Sequence, residues 1–182
     1  VYQKRITSMK KRHPERSAAF LKEESMEQIR VTTEICIPQA RQYVPLEQLA
    51  EYPFVKKPEE YIDGIITIDC GDRGNALDGC IDELWQCVLG ALEELCERDE
   101  AALCCPDHPH EGRMQRMPGR RMALQMDGQP ELTADFAQLC GKLLDAAEEF
   151  FRSYPPSLAV VPFEAEEFFA WIQRLRKCLI NE

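Results

Sequence analysis

Residues 101–126 read AALCCPDHPHEGRMQRMPGRRMALQM, and this stretch decides the fold class. Met122, Leu124 and Met126 alternate with Ala123 and Gln125, the period of a strand with one apolar face. Pro118-Gly119-Arg120 supplies a hairpin turn between the strand runs Arg113 to Met117 and Arg121 to Met126. Ala101 to Cys105 supplies a third run, and Asp127-Gly128 closes the meander. Met114, Met117, Met122 and Met126 suit core positions, since methionine adapts to irregular gaps.

On both sides of the meander the period changes to that of a helix. Ile81, Leu84, Trp85, Val88, Leu89, Leu92 and Leu95 form one apolar stripe, with Asp78 as the expected N-cap. Phe136, Leu139, Cys140, Leu143, Leu144, Ala147, Phe150 and Phe151 form a second, with Thr133 as the expected cap. Behind Pro162, Phe168, Trp171, Ile172, Leu175 and Leu179 mark a third helix, acidic early and basic late, as the helix dipole favours. It follows the Pro155-Pro156 break, so residues 155–182 are expected as a docked C-terminal helix.

Further outward, Ile29, Val31, Thr33, Ile35 and Ile37 alternate with polar neighbours and form a strand that Pro38 ends. Pro45 to Ala50 suits a short helix, and Tyr43, Tyr52 and Phe54 supply aromatic anchors in the connection. Residues 64–70, GIITIDC, form another strand, with Gly71 to Asn75 as its closing turn. Helices on both sides of a meander most simply cover one face of an antiparallel β-sheet. The expectation is an α+β fold in two layers.

The charge is divided unevenly. Residues 1–25 hold seven Lys+Arg against three Asp+Glu, a net of +4, whereas residues 26–182 hold fifteen against twenty-nine, a net of −14. The first 25 residues show no sustained apolar period, so a disordered basic extension is expected there, and a single acidic domain over 26–182. The segment RHPERSAAF (12–20) resembles translated bacterial intergenic repeats, which implies Met26 as the natural start. No export signal or membrane span is legible, and the nine cysteines read as reduced thiols of a cytoplasmic protein.

The densest chemistry is the segment CCPDHPH. Cys104, Cys105, Asp107, His108 and His110 are all metal-ligating types, and a thiol beside imidazoles also suits a cysteine-dependent enzyme. The spacing argues against both, because adjacent strand residues point to opposite faces and no C-x-x-C pair, nucleophile elbow, P-loop or HExxH is present. A surface turn stiffened by two prolines is the simpler reading, with no cofactor. Arg113, Arg116, Arg120 and Arg121 form one positive island, too small beside a −14 field for a nucleic-acid site.

Two resemblances add to this. The run EELCERDEAALCCPDHPHEGRMQRMPGRRMALQMDGQ (93–129), with FAQLCGKLLDAAEEFFRSY (136–154), resembles small uncharacterised bacterial α+β proteins that place a PDxP segment between a strand and a hairpin, flanked by amphipathic helices. It covers roughly residues 60–154. In size and charge the chain is also similar to immunity proteins of polymorphic toxin systems, which implies a non-enzymatic binding role. The acidic domain then suits a basic protein partner, a toxin in the concrete case, since opposite charge speeds encounter. Asp69, Asp72, Asp78, Glu97, Asp99 and Glu100 are the candidate contacts, chosen for charge and for placement at loops or helix ends. The plain alternative is that the acidity only keeps the protein soluble.

Overall fold

The computed structural model describes residues 28–52, 56–57, 60–104 and 111–180. The expected basic extension, Met26, Phe54, Cys105, Asp107, His108 and His110 lie outside the described residues.

The architecture is α+β, with two antiparallel four-stranded sheets in place of the single sheet expected. The first is ordered β2-β1-β3-β4, from β1 (Ile29–Ile37), β2 (Gln42–Pro45), β3 (Asp63–Cys70) and β4 (Arg73–Cys80). The second is ordered β5-β6-β7-β8, from β5 (Glu100–Cys104), β6 (Glu111–Met117), β7 (Arg121–Met126) and β8 (Leu132–Asp135). The helices are α1 (Ile81–Glu97), α2 (Phe136–Ser153) and α3 (Ala165–Leu179). Short 3₁₀ helices follow β2 (Leu46–Glu51) and precede α3 (Pro156–Leu158).

The strands largely bury alternate residues, whereas in β7 Met122, Ala123 and Leu124 are buried in succession. Ile29, Ile35 and Ile37 of β1, Ile66 and Ile68 of β3, Leu77 of β4, Leu103 of β5, Met114 of β6, Leu124 of β7 and Leu132 of β8 join the helix stripes in one connected core, and Thr33 of β1 is also buried. The helices pack on these faces and leave the opposite faces toward solvent. Met117 corrects the core expectation, being 39% exposed near the β6–β7 turn. Gly64 lets α1 start close over β3. A β-carbon there would lie 2.6 Å from the Glu34 carbonyl and 2.8 Å from Ile81 Cβ.

Three further expectations are corrected. The turn after β3 stops at Asp72, and Arg73 to Cys80 form β4, so Asp78 is a strand residue and Cys80 occupies the α1 N-cap, its side chain capping no helix N–H. Glycines at 74 and 79 hide β4 from a propensity reading. Thr133 lies in β8, and the α2 cap is Asp135, whose carboxylate accepts from the Gln138 N–H at 3.0 Å. At the C-terminal end α3 docks on α2. Phe168 stacks on Phe151 at 3.8 Å, and Arg176 bridges Asp145 and Glu148 at 2.8 and 2.9 Å.

The two sheets meet at β4 and β8 through a side chain. The Gln129 carboxamide accepts from the Ala76 N–H at 2.8 Å and donates to the Ala76 carbonyl at 2.7 Å, as a neighbouring strand would. No helix among the described residues is long and apolar enough to cross a membrane.

Candidate protein-binding surface

The solvent-facing side of the first sheet gathers carboxylates by register. Glu34, Ile65 and Asp78 lie in one cross-strand row, and Cys36 faces Tyr43 in the direction of β2. Asp63 stands two residues before Ile65 on the same face, a separation of about 7 Å. Tyr43 is 42% exposed among them. Partial burial, then the Cys36 thiol and the charges of Asp63, Asp78 and Glu34, raise its phenol above the ordinary value. Burial and the Asp63 charge likewise raise the Cys36 thiol. One aromatic ring therefore sits in a negative field that three strands build.

The six acidic candidates do not form one site. Asp69 faces Arg30 across β1 and β3, and its carboxylate lies over Gly74, where a β-carbon would collide with it. Asp72 is in the exposed β3–β4 turn. Of the six, only Asp78 belongs to the patch around Tyr43. Glu97, Asp99 and Glu100 lie at the other end of α1, a 17-residue helix about 25 Å long. There Glu100 is paired with Arg113 at 3.4 Å. Glu34 lies in the alternating β1 run, Tyr43 in the connection after it, and Asp63 just ahead of the GIITIDC run, so none of the three stands out as a contact by loop or helix-end placement. The signal was available in the period of 2, which puts Glu34 and Cys36 on the face opposite Ile35.

The arginine island is mostly engaged in the fold. Arg116 donates to the Leu95 carbonyl at 3.0 Å and lies 4.1 Å over the Phe136 ring. Arg121 donates to the Thr133 carbonyl at 2.9 Å. With exposed Arg120, Met117, Ala137, Leu179 and Ile180, they line a cleft of about 450 Å³.

Of the CCPDHPH segment only Cys104 is described. It ends β5, exposed, and its carbonyl accepts from the Cys87 thiol at 3.2 Å. Among the described residues no three His, Cys, Asp or Glu side chains are grouped to hold a metal. The eight described cysteines are free thiols.

A second cleft, also of about 450 Å³, borders the acidic face. It is lined by residues 30–34 of β1, by Pro45, Leu46 and Glu47 where the chain leaves β2, and by Ala146 and Glu149 of α2. Comparison with protein-family models, with curated proteins and with solved structures found no match.

Proposed function

We propose that the chain is a non-enzymatic, cytoplasmic protein-binding module whose acidic surface takes a basic protein partner, with neutralisation of a cationic toxin as the concrete form. The observation that carries this reading is the placement of Glu34, Asp63 and Asp78 around exposed Tyr43, on a sheet face that no described helix covers. Carboxylates gathered on one face favour encounter with a cationic partner. Tyrosine adds contact area with little entropy to lose.

The test is capture of partners by the full chain from its native lysate at low and high salt. The wild type is compared with the triple variant Glu34→Gln, Asp63→Asn, Asp78→Asn, and with a control triple variant Glu97→Gln, Asp99→Asn, Glu100→Gln. A basic protein held at low salt, weakened by salt and lost only from the first variant is the expected result. Equal retention by both variants would refute this placement of the surface. Growth arrest by the captured protein, relieved by co-production of this chain, checks the toxin form.

A further inference from the structure

The hydrogen bonds along the sheet edges show which strands are closed. In β1 the Gln28 carbonyl accepts from the Gly71 N–H, and the register continues through Arg30↔Asp69, Thr32↔Thr67 and Glu34↔Ile65. Backbone groups alternate sides along a strand, so those of Arg30, Thr32 and Glu34 bond to β3 while those of Ile29, Val31, Thr33, Ile35 and Ile37 face away from it. β2 reaches only Glu34 to Ile37, because Pro45 ends it and the chain turns into the 3₁₀ helix. The N–H and C=O groups of Val31 and Thr33 therefore face no strand among the described residues.

On the edge strands β4, β8 and β5 a side chain covers one position. Gln129 closes β4 at Ala76, Arg121 covers the outward carbonyl of Thr133 on β8, and Cys87 covers that of Cys104 on β5. At Val31 and Thr33 the edge opens instead into the cleft between Leu46-Glu47 and α2. Glu34, Glu47 and Glu149 line that cleft against one cation, Arg30.

We propose that this cleft binds an extended, basic segment of a partner protein as an added strand along Ile29 to Thr33. A segment of about five residues spans that edge, at about 3.3 Å per residue. Its backbone pairs with the two N–H and two C=O groups of Val31 and Thr33, and its Lys or Arg side chains meet Glu34, Glu47 and Glu149. Charge complementarity selects this occupant over a second copy of the chain, which would bring the same carboxylates together. The proposal rests on the acidic-surface reading and adds the mode of recognition.

The test uses the full chain with a labelled peptide of alternating Lys and Val, followed by fluorescence anisotropy and amide hydrogen exchange. Controls are the same peptide N-methylated throughout, and one with Ser in place of Lys. N-methylation is expected to weaken binding about tenfold or more, since it removes the N–H groups that would donate to the Val31 and Thr33 carbonyls. Val31→Pro, which removes one backbone bond to the peptide, is expected to weaken binding by a smaller factor, about two- to tenfold, while the chain stays folded, because the N–H it removes serves no bond in the sheet. Thr32→Pro breaks the β1–β3 ladder and is expected to unfold the chain. Binding should slow exchange at Val31 and Thr33 and leave Ala76 unchanged.

Equal binding of the methylated peptide overturns the proposal, and so does protection of Val31 and Thr33 in the free chain or only on self-association. Equal binding of the Ser peptide overturns its charge. A native partner lost from the Glu34/Asp63/Asp78 variant but kept by Val31→Pro defeats strand addition and leaves the acidic-surface reading standing.

Discussion

Replacing Gln129 with alanine is expected to destabilise the fold by about 1–3 kcal/mol. The carboxamide makes two short bonds to one half-buried residue, 2.8 Å from the Ala76 N–H and 2.7 Å to its carbonyl. Each is worth roughly 0.5–1.5 kcal/mol net, and no other side chain among the described residues is placed to replace them. Gln129→Glu sharpens the test, because a carboxylate can still accept from the N–H but repels the carbonyl. It should lose at least as much stability at neutral pH as alanine does, and recover part of it below about pH 4, where the carboxyl takes up a proton and can donate. Urea unfolding followed by the fluorescence of buried Trp85 reads both variants. With a slope of about 1–3 kcal/mol per molar urea, the alanine variant should shift its midpoint by about 1 M. Hydrogen exchange at Ala76 should accelerate in parallel. A loss below about 0.5 kcal/mol with Ala76 still protected would show that the β4–β8 joint is not held by this side chain, and would remove the contrast between closed and open edges.

Two further outcomes follow from buried groups. Asp82 is 1% exposed, and its two carboxylate oxygens accept from the Cys80 thiol at 3.3 Å and from the Val160 N–H at 3.0 Å. Asp82→Ala strands both donors and removes a charge from the first turn of α1, an expected loss of about 2–4 kcal/mol by calorimetry or urea; a loss below about 0.5 kcal/mol would refute the tie between α1 and the segment before α3. Burial is the main cause that pushes the thiols of Cys80 and Cys140 up to about 12 from an ordinary 9.0. Their folded values are raised, so their contribution is whole below about pH 9 and falls between about 9 and 12, as the unfolded chain ionises first. Stability measured from pH 8 to 11 should decline less steeply in Cys140→Ala than in the wild type, and parallel profiles would refute the assignment.

The legible parts of the fold were those written in long apolar periods. α1, α2, α3, β1 and β7 each repeat a spacing over enough residues to exclude the other period. β4 was not legible, because its sequence RGNALDGC carries turn residues throughout, and only pairing with β3 and cover from α1 make it a strand. β8 is four residues long and was absorbed into the approach to α2. The division into two sheets depends on Gln129 standing where a strand would be, and no periodicity encodes that bond. The candidate surface was legible in sign but not in place. Net charge pointed to an acidic face, yet choosing carboxylates at loops and helix ends favoured Glu100, which Arg113 already pairs, over Glu34, which register sets beside Asp78 in one row with Ile65.

Acidity alone therefore does not separate a binding surface from a solubilising one; position does. A solubilising charge works as well at the end of α1 as anywhere, and needs neither an aromatic neighbour nor an adjacent cleft. Glu34 has both, since its side chain shares the field around Tyr43 and its backbone is the first that β2 pairs, next to the open edge at Val31 and Thr33. An unpaired strand edge is an aggregation hazard, and carboxylates beside it repel a second copy of the same chain while admitting a cationic segment. Under the proposed strand addition, Glu34, Glu47 and Glu149 would serve protection and selection together. Neutralising Glu34, Glu47 and Glu149 should weaken capture of a basic peptide and, in the same protein, raise self-association at high concentration. Sedimentation of that variant beside the wild type separates the two roles: weakened capture with unchanged self-association would leave selection as the only function of the charge.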